Sequence, residues 1–257
     1  MTLARTIVRV LAYHAIVDLP PGHPQKRYGV GRDVFIRHLD QIASAGHQFI
    51  SGDQLLAHLD RGAALPRRPV LVTFDDCHET ILDAAAILER RGIPAVAFAI
   101  GVSLGPSAPT VEGLGTLLNR AGLERLRGHG IEIGAHSDTH PALTVLPESR
   151  LWDETNGVMT RFTQAGLPRP RLYAYPYGDY DARVRDCVRR AGAAAAFTVR
   201  PGFVRHDADR FALPRIEVFS GDAGLTFRTK LETGGGISRI RAAVRLRSRL
   251  RRLAGAH

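Results

Sequence analysis

Two cysteines in 257 residues, Cys77 and Cys187, are too few and too far apart for a disulfide framework or a cysteine-rich zinc site. No run of about 18 apolar residues occurs, so no membrane-spanning helix is expected. The N-terminus does not read as a signal peptide, because the short apolar stretch Ile7–Leu11 is interrupted by Arg9. The expected location is the cytoplasm. Acidic residues are missing from 237–257, where seven arginines supply +7 of the formal net charge of +10. Basicity is therefore mostly a property of one end, and a nucleic-acid partner is not expected. There is no P-loop and no dinucleotide fingerprint to support nucleotide chemistry. What is present is a hydrophobic content of 44%, ample for a core.

Strand-like and helix-like segments alternate along the chain. Strands are expected over Ile7–His14, Gln48–Ile50, Val70–Phe74, Pro94–Ile100, Ile131–Gly134, Arg171–Tyr175, Ala194–Val199 and Leu213–Phe219. Helices are expected over Asp33–Ala45, Ser51–Leu59, Glu79–Arg91, Glu112–Arg127, Pro147–Ala165 and Asp181–Ala191. In the first of these, Phe35, Leu39 and Ile42 share one face and Gly46 is a stop. Repeated β-α units favour a mainly parallel sheet, open or closed into a barrel. One domain over residues 1–225 is expected, followed by a basic tail over 226–257, helical or partly disordered. In that tail Ile240, Ala243, Leu246, Leu250 and Leu253 recur at roughly helical spacing, while Arg247 and Arg251 intrude on the apolar side. Two readings stay open for it: a solvated basic end, or a helix making weak contact with an anionic membrane surface.

The chemistry concentrates in two places. Residues 73–78 read Thr-Phe-Asp-Asp-Cys-His at the end of an apolar run, so Asp75 and Asp76 sit at the mouth of a buried strand. The run His136-Ser-Asp-Thr-His140 follows another short apolar stretch. Each half alone has a bland explanation, since paired acids often cap a helix and a loop histidine pair is often inert. Together, at the ends of strands where barrel active sites lie, they favour a metal. One carboxylate and two imidazoles suit Zn²⁺ or a similar divalent ion with open positions; Co²⁺, Ni²⁺ and Mn²⁺ fit the same set. The second carboxylate is then free to act as a base on bound water.

At this point the residues resemble a family. Val72-Thr-Phe-Asp-Asp76 resembles the first motif of the polysaccharide deacetylases (the NodB-homology family, carbohydrate esterase family 4). His136-Ser-Asp-Thr-His140 is similar to the second and Ala174-Tyr-Pro-Tyr-Gly178 to the third, over a span from about Val10 to about Val218. The resemblance implies an α/β fold, a distorted (β/α) barrel of about seven strands. It implies metal-dependent removal of acetyl groups from N-acetylated sugars of a glycan, which is the expected partner. It also implies that Asp76, His136 and His140 hold the metal, that Asp75 is the base, and that the Tyr177 backbone N–H helps hold the developing oxyanion.

Three departures stand out. Cys77 replaces the glycine usual after the paired aspartates, which would strain a backbone that only glycine likes. Ala174 stands where an arginine usually braces the base. The late Leu-x-His motif that supplies a general acid is missing, and the stretch reads Ala212-Leu-Pro-Arg-Ile216. The opening Leu11-Ala-Tyr-His14 resembles the circularly permuted poly-N-acetylglucosamine deacetylase branch, in which a histidine on the first strand takes the acid role. His14 is therefore the candidate acid, with a satisfied core histidine as its competitor. Arg215 is expected to approach Asp75 and keep it ionised. Tyr13, Tyr175 and Pro176, with the Tyr177 side chain, are candidates for contact with sugar faces, while Trp152 reads as core. Two rivals remain. Gly101-Val-Ser103-Leu-Gly105 matches a nucleophile elbow, although Pro106 and Pro109 follow at once. A non-catalytic glycan-binding or scaffold protein could also retain the fold.

Overall fold

The apolar run Pro69–Phe74 is buried at all six positions, as a strand with neighbours on both edges and cover on both faces requires. It is the third strand of a computed structural model that describes residues 6–235. In chain order the elements are β1 (Arg9–Tyr13), α1 (Arg32–Ser44), β2 (Gln48–Phe49), α2 (Gly52–Arg61), β3 (Pro69–Phe74), α3 (Ile81–Arg90), β4 (Ala95–Ala99), β5 (Thr110–Val111), β6 (Gly115–Thr116), α4 (Arg120–Gly128), β7 (Ile131–Ala135), α5 (Glu148–Gln164), β8 (Leu172–Ala174), α6 (Ala182–Arg190), β9 (Ala195–Phe197), β10 (Ile216–Glu217) and α7 (Leu225–Thr233). Seven parallel strands run in the order β10-β1-β3-β4-β7-β8-β9, with β2 added beside the start of β3. The segment before β10 makes a parallel bridge from Leu213 to Phe197, while Ile216 pairs with Leu11. The curled sheet is thereby linked end to end, and the fold is the expected distorted (β/α) barrel of one domain.

Alternation along the strands builds two cores. Val10, Leu71, Val96, Phe98, Leu172 and Phe197 point into the ring. Their neighbours Leu11, Val72, Ala97 and Tyr173 point out against the helices, meeting Phe35, Leu88 and Phe162. Helix α2 turns Leu55 and Leu56 into the inner cluster. Its start is fixed by a reciprocal Ser51–Gln54 capping box, which satisfies otherwise orphaned N–H groups. With one end plugged in this way, the loops at the other end of the strands are left to carry the chemistry.

Two expectations need correction. Residues 112–119 are not helical: Thr110–Val111 and Gly115–Thr116 form a small antiparallel hairpin, with Gly113 and Gly115 at φ 75° and 92°. Those dihedrals exclude a right-handed helix, and α4 starts only after Asn119, whose side chain accepts from the Gly122 N–H. The domain also runs past residue 225. Helix α7 buries Phe227 and Leu231 in the outer core, and Phe227 stacks on His38 with ring centroids 3.8 Å apart. The part of the tail that carries the arginines, 237–257, lies outside the described residues. Among the described residues no helix is long and apolar enough to cross a membrane.

Candidate active site

The site is built from the loops that follow β1, β3, β7 and β8, at the C-terminal ends of the strands. Six non-glycine residues have positive φ among those described, and five lie here: Asp76 (67°), Cys77 (59°), Ser137 (59°), His140 (64°) and Tyr177 (58°). Left-handed backbone at residues with a Cβ is costly, and it persists where the surroundings over-determine it. Cys77 has the conformation expected for its motif position, with its side chain fully buried. The buried thiol is shifted well above its ordinary range by burial and by the charges of Asp76 and Asp75.

Asp76, His136 and His140 converge, with one ligand atom from each lying within 4.8 Å of the others. Asp76 Oδ1 is 3.4 Å from His136 Nε2 and 3.5 Å from His140 Nε2. His136 Nδ1 lies 2.7 Å from the Ala174 carbonyl. A carbonyl accepts only, so Nδ1 carries the proton and the Nε2 lone pair faces the cluster. Asp76 Oδ1 is buried and has no hydrogen-bond partner. Burial and the neighbouring His136 hold the His140 pKa down to about 4, which leaves its imidazole neutral at pH 7. Burial alone would raise the Asp76 carboxyl, but contact with His78 and the nearby imidazoles bring it below the usual carboxylate range. An orphaned carboxylate oxygen facing two imidazole nitrogens is a donor set that fits a divalent cation.

Asp75 is turned the other way. Arg215 Nη1 and Nη2 donate to its two oxygens at 2.6 and 2.7 Å, and both residues are almost wholly buried. The guanidinium is held in turn by Nε–H donation to the Thr198 carbonyl at 2.9 Å. It also lies over the rings of Phe98 and Phe197 at 5.5 and 5.9 Å. Burial would push the Asp75 carboxyl up, but Arg215, together with the nearby His136 and His14, holds the group below its ordinary value.

These groups face a cavity of about 650 Å³. His14, Asp75, Asp76, His136, His140 and Tyr177 line its chemical side, whereas Arg27, Tyr28, Val111, Leu114 and Glu217 belong to the remaining wall. His14 packs against Tyr28 with ring centroids 4.7 Å apart, and its Nδ1 is buried without a partner. Tyr177 is 61% exposed and meets His140 edge-on at 4.8 Å.

Three candidate sugar contacts are misplaced. Tyr13 and Tyr175 are fully buried. The Tyr13 hydroxyl lies 3.2 Å from His38 Nδ1, and that of Tyr175 donates to the Phe211 carbonyl at 3.0 Å. Both side chains pack in the outer core against the helices, Tyr13 because neighbours on a strand alternate sides. Pro176 is buried as well and does not line the cavity. Ser103, the nucleophile of the rival motif, is buried in a short 3-10 turn away from the cavity. Trp152, read as core, is partly buried, with the Arg190 guanidinium 4.9 Å over its ring.

Sequence reasoning passed over His78 and Glu217. His78 is buried, lines the cavity and sets Nε2 3.6 Å from Asp76 Oδ2. Its place two residues after Asp76 was the available signal. Glu217 had none, since only its pairing with Ala12 puts it beside the first strand.

Comparison with known proteins places the chain in a family and its fold among solved structures. Residues 62–196 match the family model described as polysaccharide deacetylase. The chain is 26% identical over 208 residues to the poly-beta-1,6-N-acetyl-D-glucosamine N-deacetylase of Staphylococcus epidermidis, covering 77% of this chain and 70% of that one. Its fold is similar to that of the Streptococcus pyogenes deacetylase PplD, solved in complex with acetate, with a TM-score of 0.77 at 20% identity over 88% of this chain and 99% of the other. It is also similar to IcaB from Ammonifex degensii, with a TM-score of 0.71 at 24% identity over 82% and 91% of the two chains.

Proposed function

The chain belongs to the polysaccharide deacetylase family, and from that premise we propose that it is a metal-dependent hydrolase that removes acetyl groups from the N-acetylated sugars of a glycan. The observation that carries this reading is the division of labour between adjacent carboxylates. Asp76 turns an unpartnered oxygen toward two imidazole nitrogens, while Asp75 is kept out of that cluster by the Arg215 fork.

Asp76, His136 and His140 would hold the cation, with Zn²⁺ the best fit to one carboxylate and two imidazoles. A divalent ion there would supply Lewis-acid activation of the acetyl carbonyl and of the attacking water. Asp75 takes a proton from the attacking water, and the low pKa imposed by Arg215 keeps it available for that step. The Tyr177 N–H helps hold the negative charge that develops on the acetyl oxygen. His14, which lines the same cavity, gives a proton to the leaving amine. Acetate and a free amino sugar are the products.

Acetate release from a panel of N-acetylated oligosaccharides, with and without a chelator, tests the reading. Release that stops with chelator and returns with Zn²⁺ or Co²⁺ supports it. Binding of the same glycans without any release from the wild type would favour a non-catalytic glycan-binding protein instead.

A further inference from the structure

The loop between the two histidines is clamped from both sides, and one of the clamps is a buried acid that the proposed chemistry does not use. Glu154, on α5, is 2% exposed. Its Oε2 accepts from the Asp138 N–H at 3.0 Å and the Thr139 N–H at 2.8 Å, and its Oε1 accepts from the Thr139 hydroxyl at 2.6 Å. Two turns further along the same helix, Arg161 forks onto the Asp138 carboxylate with bonds of 2.5 and 3.0 Å. From the other side, the Gly101 N–H donates to the Ser137 carbonyl at 3.0 Å and the Val102 N–H to the Asp138 carbonyl at 2.7 Å. A Cβ on Gly101 would lie 2.3 Å from Asp138 Oδ1, so only glycine lets the two segments approach.

The loop needs such restraint. Ser137 and His140 both have positive φ, and a left-handed turn at residues with a Cβ relaxes once its hydrogen bonds are lost. His136 is fixed independently, through its own N–H to the Ala99 carbonyl and its ring to Ala174. The His140 ring meets other side chains of the site, His136, Asp76 and Tyr177, while its backbone N–H donates to Ser137 Oγ at 2.9 Å. Its place is set by the backbone of the three preceding residues, two of which Glu154 holds.

We propose that Glu154 is a positioning residue that fixes His140 relative to Asp76 and His136, and so sets the affinity of the site for its cation. This rests on the reading of those three residues as a metal site. The test is titration of the 257-residue chain with Zn²⁺ against a competing chromophoric chelator, for wild type, Glu154→Gln, Glu154→Ala and Phe162→Leu. Phe162 is a buried core residue of the same helix, about two turns beyond Glu154 and beside a separate cavity lined by Glu132, Ile133 and Leu167, so its variant controls for lost stability. The expected result is a metal affinity roughly 10–100-fold weaker for Glu154→Ala, the range for an outer partner of a metal site. Glu154→Gln keeps the shape and one acceptor, so it folds and gives an intermediate loss. Phe162→Leu lowers Tm but leaves the affinity unchanged. Wild-type affinity in Glu154→Gln and Glu154→Ala, or an equal loss in Phe162→Leu, overturns the inference and leaves the metal reading intact. Failure of the wild type to bind Zn²⁺ overturns both.

Discussion

Arg215 and Asp75 meet through two bonds of 2.6 and 2.7 Å although 140 residues separate them in sequence. The fork closes where the barrel ends join, so one ion pair both braces the proposed base and ties the last strand region to the third strand. Its energetics follow from burial: a buried pair is worth little against an apolar substitute, but removing one partner strands the other charge.

Arg215→Ala is therefore expected to destabilise the protein by about 3–5 kcal/mol. Asp75 is held below its usual pKa in the folded state. Its contribution to stability is present above the unfolded carboxylate range and lost as pH falls through the folded value. Without the guanidinium, the acidic limb of the acetate-release profile should move to higher pH by roughly one to three units. Arg215→Lys should recover part of the shift, since lysine supplies the charge but not the fork. An unmoved limb in both variants would show that Arg215 does not govern the base.

Cys77 sits at φ 59° with a buried side chain. Cys77→Gly relieves about 1–2 kcal/mol of left-handed strain, offset by the lost burial of the thiol. Chemical denaturation should find this variant within about 1 kcal/mol of wild type. Cys77→Val, with a β-branched side chain in that conformation, should be clearly less stable. Equal stability of the two would mean that the backbone at Cys77 is not left-handed.

Tyr13 and Tyr175 bond inward, to His38 and to the Phe211 carbonyl. Tyr13→Phe and Tyr175→Phe should each cost about 1 kcal/mol of stability and leave KM for the glycan unchanged. A raised KM with stability intact would return these residues to the sugar-binding surface.

Glu132 carries a pH signature far from the chemistry. It lies near the start of β7, against Gly52 at the head of α2. Burial, reinforced by Asp53, raises its pKa from 4.5 to about 7. The folded state then holds a proton that the unfolded chain releases, so this residue opposes folding increasingly as pH rises from about 4.5 to about 7. Glu132→Gln should gain stability over wild type at pH 8, by at most about 3 kcal/mol, and little at pH 4. Equal Tm differences at the two pH values would contradict this.

The parts of the site legible from sequence were those whose residue types carry chemistry by themselves. Paired aspartates at the end of an apolar run, and two histidines four apart after another, needed only strand ends to bring them together. The juxtaposition of Arg215 with Asp75 could be anticipated because a buried base needs a counter-charge and the motif arginine was absent. Tyr13 and Tyr175 were misjudged because an aromatic beside a functional residue looks like a binding platform, whereas both pack in the outer core, Tyr13 because strand alternation sends neighbours to opposite faces. The hairpin at 110–116 was masked by Glu112 and the leucines after it, which suit a helix until the positive φ of Gly113 and Gly115 is known. The packing of α7 was obscured by the polar neighbours of Phe227 and Leu231, among them the ion pair of Lys230 with Asp222.

The most direct measurement is Zn²⁺ stoichiometry beside acetate release for two substitutions at adjacent residues, Asp75→Asn and Asp76→Asn. If Asp76 is a ligand and Asp75 the base, Asp75→Asn binds one equivalent of Zn²⁺ as tightly as wild type and releases no acetate, while Asp76→Asn loses the bound ion. Retention of the ion by Asp76→Asn, or turnover by Asp75→Asn at the wild-type rate, would contradict the assignment of the two carboxylates.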